Sequence, residues 1–150
     1  MKATRLLKED HSKVKALFRE YESTGENAHK QKQGIVEEVF RELEVHTQIE
    51  EEIFYPAVKA KIGDEGEELV AESLQEHHVV DVLMGEMRQL EPDNPEYEAK
   101  FTVLMENVEH HAEEEEKEMF PGAEKKLGAE LDALGERMQR RKDELQVAAR

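Results

Sequence analysis

The stretch His46-Thr-Gln-Ile-Glu50-Glu51-Glu-Ile-Phe-Tyr55-Pro56 is matched later in the chain by His111-Ala-Glu-Glu-Glu115-Glu116-Lys-Glu-Met-Phe120-Pro121. The shared pattern is H-x3-E-E-x3-[Y/F]-P. At about 100° per residue, a histidine and a glutamate four apart lie within about 40° of each other around a helix. Each copy therefore sets an imidazole and a carboxylate on one face, a pair suited to holding a metal ion. One such pair is weak evidence; two in matching frames are much stronger.

Working outward, apolar spacings of three and four place helices around both copies. The first segment spans residues 4–23, with Leu7, His11, Val14, Leu17, Phe18 and Tyr21 on one face and Gly25 as its stop. Residues 24–34 are polar and read as a connection. The second segment, 35–61, aligns Val39, Leu43, His46, Glu50 and Ile53. Pro56 inside it predicts a kink or break, because proline has no N–H to donate. Residues 63–66 form a turn. The third segment, 67–90, carries Leu74, His77, Val80, Leu83, Met84 and Met87, and the Pro92–Pro95 stretch breaks the chain. The fourth, 96–119, repeats the second through Leu104, Val108, His111 and Glu115, with Pro121-Gly122 expected to end it. Last, Leu127, Leu131, Leu134, Met138 and Leu145 draw an apolar seam on a charged helix.

The first and third segments also match each other. Asp10-His11 with Val14 and Leu17 parallels Glu76-His77 with Val80 and Leu83. His46 follows His11 by 35 residues, and His111 follows His77 by 34. A helical hairpin is thus used twice, each copy giving one lone histidine and one His-x3-Glu pair. Short connections make sequence neighbours antiparallel. The expected fold is all-α: an up-down-up-down four-helix bundle over residues 1–122. A C-terminal amphipathic helix over 123–150 then packs on the bundle or in a dimer contact.

Composition agrees. The chain has 150 residues, enough for one domain with a core, and is rich in helix formers, with no Trp and 4 Pro. Charged residues make up 39% of it, but the helical recurrence of apolar positions separates it from disordered tracts. The net charge of −16 argues against nucleic acid or an anionic membrane as partner. No Cys is present, which excludes disulfides, thiolate-bound clusters and thiol catalysis. Neither a signal peptide nor a membrane span is expected, and the default compartment is the cytoplasm.

Facing inward, the four helices would gather His11, His46, His77, His111, Glu50 and Glu115. Any one of these, taken alone, reads as a core group hydrogen-bonded to a neighbour. Burying all six without a cation would be costly, so a metal site is the better reading. Imidazole and carboxylate without thiolate suit iron, and manganese or zinc less well. A single zinc ion needs about four protein ligands, so six imply two ions, with the glutamates free to bridge. With a bridging oxo or hydroxo, two octahedral ions still keep about two open positions. That is an open di-iron site, with no catalytic residue assigned beyond its ligands.

A lone His, then H-x3-E-E with a downstream Pro, all repeated, resembles the hemerythrin-like HHE cation-binding family over at least residues 7–121. The resemblance implies a non-haem di-iron centre inside a left-handed four-helix bundle. Ferritin-like bundles instead use Glu-x-x-His pairs. Here only Glu26 and His29 have that spacing, in the expected loop. Oxygen-carrying hemerythrins have a further His four before the third-helix one, where this chain has Ser73. They also use a carboxylate five rather than four after the last His, and both Glu115 and Glu116 are available. The repeat register favours Glu50 and Glu115 over Glu51 and Glu116. The missing histidine shifts the expectation from oxygen carriage toward redox turnover of a small oxidant: hydrogen peroxide, oxygen or nitric oxide. The alternatives are an oxygen or iron sensor or store without turnover, and an iron donor like the repair-of-iron-centres proteins, whose Cys-containing segment is absent here.

The remaining candidates are additional or supporting groups: Asp81, four after His77; His78 and His110, adjoining the ligands but about 100° away; Glu116; and Glu118, in the inward place that Ile53 has in the other copy. Tyr21 and Tyr55 read as packing residues and His29 as exposed. The expected partners are a small diatomic or peroxide ligand and an electron donor the sequence does not name. Monomer and homodimer both remain open.

Overall fold

A computed structural model describes residues 1–148; residues 149 and 150, at the end of the expected C-terminal segment, lie outside it. Seven α-helices and two π-helical turns follow one another: α1 (Ala3–Glu22), α2 (His29–Ile49), a π turn (Glu50–Phe54), α3 (Tyr55–Ile62), α4 (Asp64–Met87), α5 (Pro95–Glu114), a second π turn (Glu115–Met119), α6 (Phe120–Leu127) and α7 (Glu130–Ala148). No strand occurs among the described residues.

Each π turn is helical at both ends, so α2 with α3, and α5 with α6, run as continuous rods. With α1 and α4 they make the antiparallel four-helix bundle. Asn94 caps α5 by accepting from the Glu96 N–H at 2.9 Å, and Pro95 opens the helix where a missing N–H costs nothing. Gly63 separates α3 from α4 with a φ of 79°, and Gly128 ends α6 with a φ of 50°, both in the left-handed region that glycine enters freely.

Two expectations are corrected. Residues 29–34 belong to α2, so the connection is shorter than its polar composition implied, and His29 is half-buried rather than exposed. Pro121 does not end a helix: it sits in the first turn of α6, which runs on to Leu127. The wider turn before it absorbs the missing N–H, and Pro56 stands in the same place in α3.

The apolar interior is divided in two. One cluster centres on Phe18, Val39, Phe40, Leu43, Met84, Phe101 and Leu104. The other holds Leu6, Leu7, Ile49, Phe54, Val58, Met119, Phe120, Leu127, Leu131 and Met138. Helix α7 completes the second, burying Leu131, Leu134 and Met138 while it lies along α1 and the α2 rod. At Gly135 it approaches the start of α1 so closely that a Cβ would sit 1.8 Å from the Met1 carbonyl oxygen. Between the two apolar clusters lies a polar layer, and every histidine of the repeat falls in it.

Candidate metal centre

The layer is built by one residue from each lone-histidine helix and two from each rod. His11 is on α1, His77 on α4, His46 and His111 near the ends of α2 and α5, and Glu50 and Glu115 open the π turns. All six are buried, Glu50 completely. They form two groups that could hold an ion: His11, His46, Glu50 and Glu115, and Glu50, His77 and His111. Glu50 Oε1 is 3.3 Å from His46 Nε2 and 3.1 Å from His77 Nε2. Glu115 presents Oε1 at 3.1 Å to His11 Nε2 and Oε2 at 3.3 Å to His111 Nε2. Each glutamate thus touches a histidine from both halves of the repeat.

Every one of the four rings is held from behind by a carboxylate. Asp10 accepts from His46 Nδ1 at 2.9 Å and Glu76 from His111 Nδ1 at 2.6 Å. Glu51 accepts from His77 Nδ1 and Glu116 from His11 Nδ1, both at 2.8 Å. The residue before each lone histidine therefore supports the paired histidine of its own hairpin. The residue after each inner glutamate supports the lone histidine of the other hairpin. With Nδ1 held as donor, the proton given up on metal binding is the one on Nε2, which leaves the inward lone pair a metal requires.

The inward atoms are short of partners. His11 Nε2, His46 Nε2, both Glu50 oxygens and Glu115 Oε1 make no hydrogen bond, although imidazole and carboxylate approach within ion-pair distance. Each such orphan costs about 1–3 kcal/mol when buried. Burial alone would lower the His46 pKa, but Glu50 and Asp10 outweigh it and raise it to about 10. His111 likewise rises to about 11 against its burial, through Glu115 and Glu76. Burial would raise Glu115, yet His111 and its other partners hold it well below the usual carboxylate range. The layer is electrostatically set to receive positive charge, and the donor set fits metal ions.

Tyr55 was missed by the sequence reading, which made it a packing residue. Its hydroxyl donates to Glu115 and lies 3.2 Å from His77 Nε2 and 3.4 Å from His111 Nε2. The reason is the π turn, whose extra residue carries the position facing the layer beyond Ile53 to Tyr55, five after Glu50. The same shift corrects Glu118, which is exposed rather than inward. At the position matching Tyr55, Phe120 stacks on His11 with ring centres 6.0 Å apart. Ser73 is buried beside the Tyr55 hydroxyl. Of the other candidates, Asp81 and His78 are exposed and outside both groups. Exposed His110 joins Glu76 and Glu114 in a third, more open group. Glu116 acts through His11.

A cavity of about 30 Å³ adjoins the layer on the side of the first apolar cluster. His11, His46, His77 and His111 form its floor, and Val14, Leu43, Val80, Val108 and Ala112 its walls. Such a space suits a molecule of two or three atoms, the size of one water or a little more.

The comparisons with known proteins point the same way. The profile of the Hemerythrin HHE cation binding domain matches residues 2–123. An uncharacterized protein of Mycobacterium tuberculosis is 30% identical over 147 residues, 97% of this chain and 88% of that protein. An uncharacterized hemerythrin-like protein of Schizosaccharomyces pombe is 29% identical over 89 residues, 59% of this chain and 44% of its own length. The crystal structure of a Hemerythrin HHE cation binding domain-containing protein from Mycobacterium kansasii superimposes with a TM-score of 0.85, at 28% identity over 99% of this chain and 90% of that one. A helical bundle with this doubled His–Glu frame, matched by that profile across all four bundle helices, belongs to the hemerythrin HHE cation-binding family.

Proposed function

We propose that the protein binds two iron ions between His11, His46, Glu50, His77, His111 and Glu115, and turns over a small oxidant there, with hydrogen peroxide first and oxygen or nitric oxide as related ligands. The observation that carries this reading is the sharing of Glu50 and Glu115 between two histidine pairs, with five inward atoms left unpartnered. A single ion would leave half of that donor set idle. When bound, two irons supply two electrons between diferrous and diferric states, so one peroxide is reduced to two waters and a second is oxidised to dioxygen.

The chain's own groups supply the rest. Asp10, Glu51, Glu76 and Glu116 fix each ring so that Nε2 faces inward. The apolar walls of the cavity admit a small ligand and exclude larger reductants that would compete. Tyr55 keeps its proton, because burial and the nearby Glu115 and Glu50 hold its pKa well above that of a free phenol. Its Oη is placed by geometry at the His77–His111 side of the layer, where cleaving an O–O bond would consume a proton.

The test is the iron content of protein from iron-supplemented cells, followed by oxygen evolution on adding peroxide. Two irons per chain and evolution well above that of free iron support the reading. Two irons with no evolution would favour the sensor or store, and fewer than two would remove the basis for either.

A further inference from the structure

The two halves of the centre are alike in their ligating groups but not in what lies behind them. Three of the four supporting carboxylates, Glu51, Glu76 and Glu116, are partly exposed to solvent, whereas the Asp10 side chain is only 5% exposed. Asp10 is also the one with an amine upon it: Lys142 of α7 places Nζ 2.6 Å from Asp10 Oδ1, while Asp10 Oδ2 holds His46. The Lys142 side chain is itself mostly buried. Glu76, the repeat counterpart, faces Glu114 and His110 instead, and no Lys or Arg pairs with it among the described residues. Helix α7 begins beyond the matched family domain, so this charge reaches the layer from outside it.

A carboxylate that accepts from the back of an imidazole makes the ring a stronger donor to a metal, which favours the higher oxidation state. A buried ammonium on that carboxylate draws its charge away and weakens the effect. Its own positive charge also favours the reduced ion. Both influences act on the His11–His46 side alone.

We propose that Lys142 is a positioning residue that makes the two metal positions unequal, acting through Asp10 and His46 so that the ion on the His11–His46 side is the more easily reduced. This rests on the di-iron reading. It gives the C-terminal helix a part in the redox behaviour of the centre as well as in packing.

The experiment is a reductive titration of iron-loaded protein, with the irons followed by Mössbauer spectroscopy and counted by elemental analysis. The wild-type chain should pass through a valence-localised state with two separate midpoint potentials. Lys142→Gln should keep two irons while the higher potential falls toward the lower, and Lys142→Arg should restore the separation. Arg141→Gln removes the neighbouring Arg141–Glu52 pair, at 2.8 Å, and loosens the same helix without touching Asp10; it should leave both potentials in place. Unchanged potentials in a two-iron Lys142→Gln protein would overturn the proposal, as would an equal shift in Arg141→Gln. A wild-type chain holding fewer than two ions would instead overturn the metal reading and this inference with it.

Discussion

Tyr55 and Phe120 occupy the same place in the two repeats, five residues past Glu50 and Glu115, and differ by one hydroxyl. That hydroxyl lies against His77, His111 and Glu115, whereas Phe120 offers His11 only the face of its ring. The centre therefore carries a proton on one side and not on the other.

Replacing Tyr55 by Phe should leave two irons bound and lower peroxide turnover by roughly 10²-fold, the lower end of what a positioned proton donor contributes. Iron content and initial rates of oxygen evolution, measured on the same sample, decide it. Full turnover in a two-iron Y55F protein would show that the hydroxyl only packs.

Glu50 and Glu51 are adjacent but serve different purposes, and their variants should separate. Glu50→Ala removes a group shared by both histidine pairs and should reduce loading to at most one iron per chain. Glu51→Ala removes only the support of His77 and should keep two, with metal affinity weaker by roughly 10–100-fold. Elemental analysis and competition with a chelator check both; two tightly held irons in Glu50→Ala would show that Glu50 does not bridge.

The raised imidazole pKa values make opposite predictions for the metal-free and loaded protein. A proton bound more tightly in the fold than in the unfolded chain stabilises the fold fully below the unfolded value. For His46 that contribution is lost as pH climbs from 6.5 to about 10, and for His111 the loss extends to about 11. The metal-free protein should thus lose Tm across this window. Metal needs the rings neutral, so loading releases protons and tightens as pH rises. Calorimetric titration in two buffers of different ionisation enthalpy should reveal the released protons; a pH-independent affinity would refute the scheme.

Gly135→Ala should destabilise the chain by about 1–3 kcal/mol, the usual cost of forcing extra volume into a packed seam. The obstacle is backbone, the Met1 carbonyl and the Ala3 amide, which cannot turn aside as a side chain would. Urea unfolding measures it. A neutral result would mean that α7 sits less closely on α1 than the structure has it.

The repeat made much of this legible. That His11, His46, His77, His111, Glu50 and Glu115 face one layer could be read because donor groups four apart, in frames used twice, leave a periodic trace. The carboxylates behind them left a fainter one. Asp10 and Glu76 precede a lone histidine, and Glu51 and Glu116 follow an inner glutamate, so an acid next to every lone histidine and every inner glutamate was visible. Which ring each one held was not, because each partner lies on another helix. Tyr55 stayed hidden for a different reason: a regular 3.6-residue period carried past Glu50 points to Ile53, and nothing local announces the wider turn. The pairing of Lys142 with Asp10 spans almost the whole chain and could come only from the packing of α7.

The π turns also make chain length part of the centre. Each holds one residue more than a regular helix needs, and its wider winding absorbs that residue so that everything after it keeps its facing. A residue inserted beside the exposed Glu52 would swing Tyr55 and Val58 about 100° around the rod, whereas deleting Glu52 would let the turn relax to α-helix with Tyr55 still facing inward. The insertion would leave His46 and Glu50 where they are, yet the second apolar cluster and the hydroxyl would both be misplaced. The same insertion between α1 and α2 would cost little, since that connection points nothing at the core. Substitutions at the surface of the two rods are therefore open to drift, but added residues are not.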